Sequence, residues 1–223
     1  MTRSAVAALL ALALTGCMAG HHVRSGVQPS EMSGFLDDYS LLRAGGTGEL
    51  TLVYRNPDVD WRSYDQVLLE AVAIWRSGKK SLDPVPEADL LRLASDFNAA
   101  VRARLGEGYQ VVDRPGPGVM RIRLAITDAR ATDPILDVLT APGADAIPHP
   151  GGAGPLDPET KRFLAGAAIE GEIRDAQSGA LLAQGVDRPR RAASIDTWAD
   201  LDHALAFWAD RACDRLEART GRR

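Results

Sequence analysis

Near its middle the chain reads Arg121-Ile122-Arg123-Leu124-Ala125-Ile126-Thr127, in which large apolar side chains alternate with charged or small ones. Because successive side chains of a β-strand point to opposite faces of a sheet, this period of two predicts a strand with one buried face and one solvated face. The isoleucines and the leucine occupy the buried face, and the arginines occupy the solvated face.

A second alternating stretch, residues 167–175, places Ile169 and Ile173 inward and Glu170, Glu172 and Arg174 outward. A turn at 177–179 then leads to a hairpin partner at 181–186. The arginines and glutamates of the two stretches would therefore share one solvated face, where cross-strand ion pairing explains them without any chemistry. We predict a possible interaction face that consists of Arg121, Arg123, Glu170 and Glu172.

The other predicted elements are three strands and two helices. Residues 50–54 and 109–113 read as short strands, and the nearly continuous apolar run 65–75 is typical of a central strand. Two amphipathic helices are predicted from apolar residues at intervals of three or four. We expect these helix residues to pack against the inward isoleucines and Leu124: Leu90, Phe97, Val101, Trp198, Leu205 and Trp208. The order predicts an α+β domain with a mostly antiparallel sheet of about five or six strands and two helices on one face.

The beginning of the chain has the pattern of a bacterial lipoprotein signal. A basic start is followed by an apolar run from Ala5 to Leu14, which is too short to span a membrane, and then by Leu14-Thr15-Gly16-Cys17. Such a lipobox predicts cleavage after residue 16 and lipidation of Cys17. Met18 follows the cysteine where an aspartate commonly retains enteric lipoproteins in the inner membrane, so we expect the periplasmic face of the outer membrane.

These patterns divide the chain into four parts. Residues 1–16 are the predicted signal peptide, residues 17–32 a flexible tether, residues 33–219 a single domain, and residues 220–223 a frayed C-terminus. Within the domain, residues 141–158 are rich in proline and glycine and are predicted to form a long irregular loop, either functional or idle.

Composition excludes some classes of function. The chain carries 26 basic and 30 acidic residues, for a formal charge of −4, and its arginines are dispersed, so nucleic acid is not an expected partner. The histidines lack the spacing of metal ligands, and no phosphate-binding or nucleophile motif is present, so no cofactor or metal is predicted. Cys213, at helical spacing with apolar residues, is predicted to be buried.

Several short motifs in order resemble the bacterial lipoprotein family known as domain of unknown function 3313. They cover nearly the whole mature chain, and they are Gly34-Phe35-Leu36 with Asp38-Tyr39-Ser40, Tyr54-Arg55-Asn56-Pro57, Ala125-Ile126-Thr127-Asp128, Glu170-Gly171-Glu172-Ile173-Arg174-Asp175 and Trp208-Ala209. The resemblance implies a secreted lipoprotein of Gram-negative bacteria, and it implies no activity.

Two functions remain open at this point. The first is a non-catalytic envelope lipoprotein, held in the membrane by the Cys17 lipid, that binds another envelope protein or a cell-wall component. The second is a periplasmic enzyme or small-ligand-binding protein that uses the polar sheet face and the 141–158 loop. A closed pocket with buried, unpaired carboxylates would favour the second, and a flat solvated face would favour the first.

Overall fold

The computed structural model describes residues 32–76, 82–127, 154–165, 167–187 and 195–222. The signal peptide, Cys17, the tether up to residue 31 and residues 141–153 of the predicted loop lie outside these ranges. The strands are Arg43–Ala44 (β1), Leu52–Arg55 (β2), Gln66–Leu69 (β3), Ala73–Trp75 (β4), Gln110–Val111 (β5), Val119–Thr127 (β6), Ala168–Asp175 (β7) and Leu181–Asp187 (β8). The helices are Glu87–Gly108 (α1), Pro158–Leu164 (α2) and Trp198–Thr220 (α3).

The strands form one mixed sheet in the order β1-β2-β8-β7-β6-β3-β5, with β4 also paired to β6. The pairs from β1 to β6 along this order are antiparallel, and β3 and β4 run parallel to β6. The α+β class and the mostly antiparallel sheet are confirmed. The predicted number of five or six strands is too low, since the described residues form eight.

One source of the extra strands is the apolar run 65–75, predicted as a single strand and divided here into β3 and β4. Leu69 pairs with Ile122 and Ala73 pairs with Ala125, so four steps on this side match three steps on β6. One extra residue must therefore be accommodated, as in a β-bulge, and the ladder is interrupted at residues 70–72. Apolar continuity predicts burial but does not reveal such an interruption.

The helices α1 and α3 pack together on one face of the sheet, here called the helix face. The apolar residues predicted to meet there do so in one core: Leu90, Phe97, Val101, Trp198, Leu205 and Trp208 from the helices, and Ile122, Leu124, Ile126, Ile169 and Ile173 from the strands. Phe97 and Trp208 make an edge-to-face contact with ring centroids 6.4 Å apart. The predicted core is confirmed, and Cys213 is buried in it.

The prediction of two helices missed α2, the short helix that follows the proline-rich stretch. Asp157 caps it by accepting a hydrogen bond from the Glu159 backbone N–H, and Pro158 lies in its first turn. The hydroxyl of Thr160 donates to Asp89 of α1 at 2.6 Å, which fixes the short helix to the domain. Composition suggested a loop up to residue 158, and seven helical residues are too few for a clear periodic pattern.

The end of the chain is more ordered than predicted at one position. Residue 220 was assigned to a frayed terminus, but Thr220 is the last residue of α3 and is buried. Its hydroxyl lies 2.6 Å from the hydroxyl of Tyr109, and Gly221 ends the helix in the left-handed conformation at φ 73°. The helix therefore runs one residue past the predicted boundary.

Candidate functional site

The predicted interaction face lies on the side of the sheet opposite the helices, and strand register brings its residues together. Arg123 on β6 pairs with Glu172 on β7, and Ala125 pairs with Glu170. Because paired residues share a face, both glutamates and both predicted arginines point to the same side. We call this side, with Arg121, Arg123, Thr127, Glu170 and Glu172, the glutamate face.

The prediction that this face is solvated is wrong for its glutamates. Glu170 is 0% exposed and Glu172 is 1% exposed. The cover is residues 33–42, here called the N-terminal segment, whose apolar side chains form a second core with the sheet: Phe35, Leu36, Tyr39 and Leu42 with Leu52, Ala125, Ala168 and Val186. Burying these side chains offsets the cost of removing the carboxylates from water, provided that the carboxylates are paired.

Glu172 is paired through both of its oxygens. Arg123 Nη1 donates to Oε1 at 2.5 Å, and Arg174 Nη2 donates to Oε2 at 2.9 Å. The predicted ion pair between Arg123 and Glu172 is therefore present. The hydrogen bond to Glu172 raises the pKa of Arg174, and Asp37 of the N-terminal segment accepts from the same guanidinium at 2.7 Å. The buried carboxylate is thus joined to the surface by two arginines that remain partly exposed.

Glu170 is held by hydroxyl groups. The Tyr39 hydroxyl donates to Oε2 at 2.5 Å, and the Thr127 hydroxyl donates to Oε1 at 3.2 Å. Burial is the main cause that raises the pKa of Tyr39, and the hydrogen bond to Glu170 adds to it. Tyr39 therefore remains a neutral donor at physiological pH.

The same tyrosine organises the N-terminal segment. Its oxygen accepts from the backbone N–H of Gly34 at 3.1 Å and of Leu36 at 3.3 Å, and Ser33 Oγ lies 3.0 Å away. Trp75 Nε1 donates to the Ser33 carbonyl at 3.0 Å, and its ring packs edge-to-face on Phe35. The N-terminal segment is thus hydrogen-bonded to the Tyr39 hydroxyl, which itself donates to buried Glu170.

Arg121 differs from the rest of the predicted face. Its side chain is 48% exposed, and it pairs with Glu70, which follows β3 and also lies 3.5 Å from Arg123 Nε. Of the four predicted residues, Arg121 therefore lies at the open margin of the glutamate face, where an ion pair contributes little to stability.

Sequence reasoning missed Tyr39 and Glu70 as members of this site. Tyr39 is 131 residues away from Glu170 along the chain, so no periodicity links them. Arg174 had a local signal, because it is two residues from Glu172 and therefore on the same side of β7.

Both carboxylates of the glutamate face are bound by other side chains and are covered. Glu172 is paired with two cations, Glu170 accepts from two hydroxyls, and protein side chains cover both.

Among all the residues that the structure describes, no group of three or more histidines, cysteines or carboxylates could hold a metal ion. None of the described helices is long and apolar enough to cross a membrane.

Comparison with known proteins places the chain by sequence. The profile of the family described as "Protein of unknown function (DUF3313)" matches residues 31–212. The chain belongs to this family. The resemblance drawn from the motifs is therefore confirmed, and the DUF3313 match includes the N-terminal segment, the glutamate face and most of α3.

Neither the curated proteins nor the solved structures assign a function to the chain. No curated protein is similar enough to this DUF3313 member to count as a match. Among solved structures, it is similar to the dodecamer of a PelC variant from Paraburkholderia phytofirmans, with 12% identity over 71% of this chain and 92% of that chain, at a TM-score of 0.29. A similarity of this size carries no functional argument.

Proposed function

We propose that this protein is a lipid-anchored envelope lipoprotein that presents a non-catalytic binding domain to the periplasm from the outer membrane. The single observation that carries the non-catalytic part is the state of its buried carboxylates. Glu172 is neutralised by Arg123 and Arg174, and Glu170 accepts from Tyr39 and Thr127. A catalytic carboxylate needs access to a substrate, and these two are covered by the N-terminal segment.

The lipid anchor is supported by the sequence Leu14-Thr15-Gly16-Cys17 after a short apolar run. Modification of Cys17 with more than one acyl chain would give stable attachment, because a single chain binds a membrane only marginally. The predicted flexible tether, residues 17–32, would let the domain lie about 20 Å from the bilayer surface. The bound partner would be another envelope protein or a cell-wall component.

The alternative of a periplasmic enzyme or small-ligand binder that uses the glutamate face requires the N-terminal segment to leave that face. Its departure would break the Tyr39–Glu170 hydrogen bond and expose Phe35, Leu36 and Leu42, which are all buried. The packing of this segment therefore favours the binding domain over an active site on this face.

The anchor is tested by replacing Cys17 with serine and fractionating cells. We expect the wild-type chain to incorporate labelled palmitate and to sediment with outer membranes, and the Cys17→Ser chain to be unlabelled and released. Cys213→Ser is the matched control, because it changes the other cysteine and should leave labelling intact. A Cys17→Ser chain that still sediments with membranes after a high-salt wash would contradict lipid anchoring.

Two further experiments test location and partner. Met18→Asp should move the protein to the inner-membrane fraction of an enteric host, which density-gradient separation would show. Crosslinking in intact envelopes, followed by purification of the lipidated protein, should capture a partner with the wild type. The same partner should be lost when Cys17 is replaced, because the domain then leaves the membrane surface.

A further inference from the structure

A cavity of about 140 Å³ lies between the helices and the helix face of the sheet. Phe97 of α1 and Trp208 of α3 line it from above, and Leu124, Ile169 and Ile173 line it from below. Protein interiors are packed as closely as organic crystals, and voids larger than a water molecule are few. An apolar space of this size is therefore unusual in a protein core.

The residues that line the cavity include a pair of glycines in register on neighbouring strands. Gly171 of β7 lies opposite Gly185 of β8. A Cβ on Gly171 would lie 2.6 Å from Leu124 Cδ2, and one on Gly185 would lie 2.4 Å from Leu50 Cδ1. Both leucines therefore lie flat against bare backbone, and on the helix side the space is bordered by the small side chain of Ala212.

Three arginines at intervals of four residues, Arg211, Arg215 and Arg219, line the same cavity from α3. Arg211 Nη2 and Arg215 Nε donate to the Gly48 carbonyl at 3.2 and 3.0 Å, and the Arg219 guanidinium lies over the ring of Trp61. In the ranges that the structure covers, none of the three forms a salt bridge. Two acidic residues, Asp187 and Glu172, also line the cavity, and Glu172 is paired with Arg123 and Arg174.

The contrast with Arg104 shows that this is not a general property of the helix pair. Arg104 of α1 makes ion pairs with Asp214 at 2.8 Å and Glu217 at 2.6 Å. By comparison, burial, together with Arg55 and Arg215 nearby, lowers the pKa of Arg219 to about 10. Burial and Arg211 likewise lower the pKa of Arg215, against an opposing effect of Asp187. The cations beside the cavity therefore repel one another.

An apolar cavity next to unneutralised cations fits a ligand with two unlike ends. A cavity of about 150 Å³ with apolar walls accepts benzene, so this one has room for about six carbon atoms and for one chain only. A guanidinium binds carboxylate and phosphate through paired N–H donors. We propose that the cavity between α3 and the sheet binds a single-chain anionic amphiphile, with its apolar tail against Leu124 and Ile173 and its head group on Arg211 and Arg215. This inference rests on the domain being a binding module, and it is independent of the lipid anchor.

The first test measures binding by calorimetry to the full chain that carries Cys17→Ser, in which no attached lipid or added detergent competes. The probes are straight-chain carboxylates from butanoate to decanoate, together with alcohols of equal length. We expect saturable binding whose affinity rises about fourfold for each added methylene up to about six carbons and then levels off. The alcohols should bind about tenfold more weakly than the matching carboxylates.

The second test uses paired variants to determine whether the ligand binds in the cavity. Ala212→Phe, at an exposed position on the rim of the cavity, should abolish hexanoate binding by blocking the opening, whereas Ala206→Phe, at an exposed position of the same helix outside the lining, should leave it unchanged. Arg215→Gln should weaken the binding of hexanoate about tenfold. Arg102→Gln, at an exposed position of α1, should leave it unchanged. A melting curve for each variant shows that the domain is folded before its binding is compared.

Three results would overturn the proposal. They are the absence of saturable binding to the folded chain, equal affinity for carboxylates and alcohols, and equal affinity in Ala212→Phe and wild type. Sedimentation with anionic vesicles without binding of free hexanoate or hexyl phosphate would assign the arginines to a membrane surface and would also overturn it. Because the probes act on a chain without Cys17, failure here leaves the membrane-fractionation result for the proposed anchor untouched.

Discussion

The two faces of the sheet are both buried, but different physics buries them. On the helix face, isoleucines and leucines of β6 and β7 meet the apolar stripes of α1 and α3. On the glutamate face, the N-terminal segment brings apolar side chains over two carboxylates, and each carboxylate is bound by arginine or hydroxyl donors. A strand face that carries charged residues is therefore exposed to solvent only when no other segment of the chain can pair those charges and cover them.

The largest expected effect tests the helix face. Phe97 is 3% exposed and contacts Trp208, so Phe97→Ala should lower the free energy of unfolding by about 3–5 kcal/mol. Leu91→Ala, on the exposed side of the same helix, should change it by less than about 0.5 kcal/mol. Urea denaturation measures both, and equal effects would show that α1 is not oriented as described.

The next effect tests whether charge pairing holds the glutamate face together. Arg123→Met removes one of the two cations on buried Glu172 and should destabilise the domain by about 2–3 kcal/mol. Adding Glu172→Gln should recover more than half of this loss, because the cost comes from a buried charge with too few partners. If the double variant is no more stable than the single variant, Glu172 is solvated in solution.

A smaller effect tests the cover over the glutamate face. Tyr39→Phe removes the donor to Glu170 and should cost about 1–2 kcal/mol. It should also speed hydrogen exchange at the Gly34 and Leu36 amides, which donate to the Tyr39 oxygen. Tyr54→Phe, at a partly buried position on β2, serves as the control. Unchanged exchange at both amides would show that Tyr39 does not organise the segment.

Alkaline pH offers a test of burial on the helix face. Burial raises the pKa of the Cys213 thiol from 9.0 to about 12, so the unfolded chain loses this proton first as the pH rises. Stability from this group is complete below pH 9 and is lost between about pH 9 and 12, by about 1.4 kcal/mol at pH 10. Cys213→Ala should remove the early part of the decline, at about pH 9 to 9.5, because unfolded tyrosines lose most of their protons only above about pH 10. An identical decline in both chains would contradict the buried thiol.

The smallest effect distinguishes the margin of the glutamate face from its interior. Arg121 pairs with Glu70 but is about half exposed, so Arg121→Met should cost less than about 0.5 kcal/mol. Measured beside Arg123→Met under the same conditions, the two arginines of one strand should differ several-fold. Similar losses would mean that exposure does not govern the strength of these pairs.

Sequence alone was sufficient for the elements whose signal is local. The alternation at residues 121–127 and 167–175 predicted β6 and β7, and the apolar stripes from Leu90 and Trp198 predicted α1, α3 and their shared core. The short motifs were sufficient for the family. These predictions succeed because periods of two and about 3.6 are imposed by neighbouring residues on one backbone segment.

Only the tertiary structure decided what covers the glutamate face of the sheet. Glu170 and Glu172 alternate like solvated residues, and they are buried because Tyr39 and Phe35 reach them from the other end of the domain. The register that sets Gly171 beside Gly185 in the lining of the cavity likewise depends on how two strands align. Such contacts join residues far apart in the chain, and a pattern within a short window contains no information about which distant segment will supply the partner.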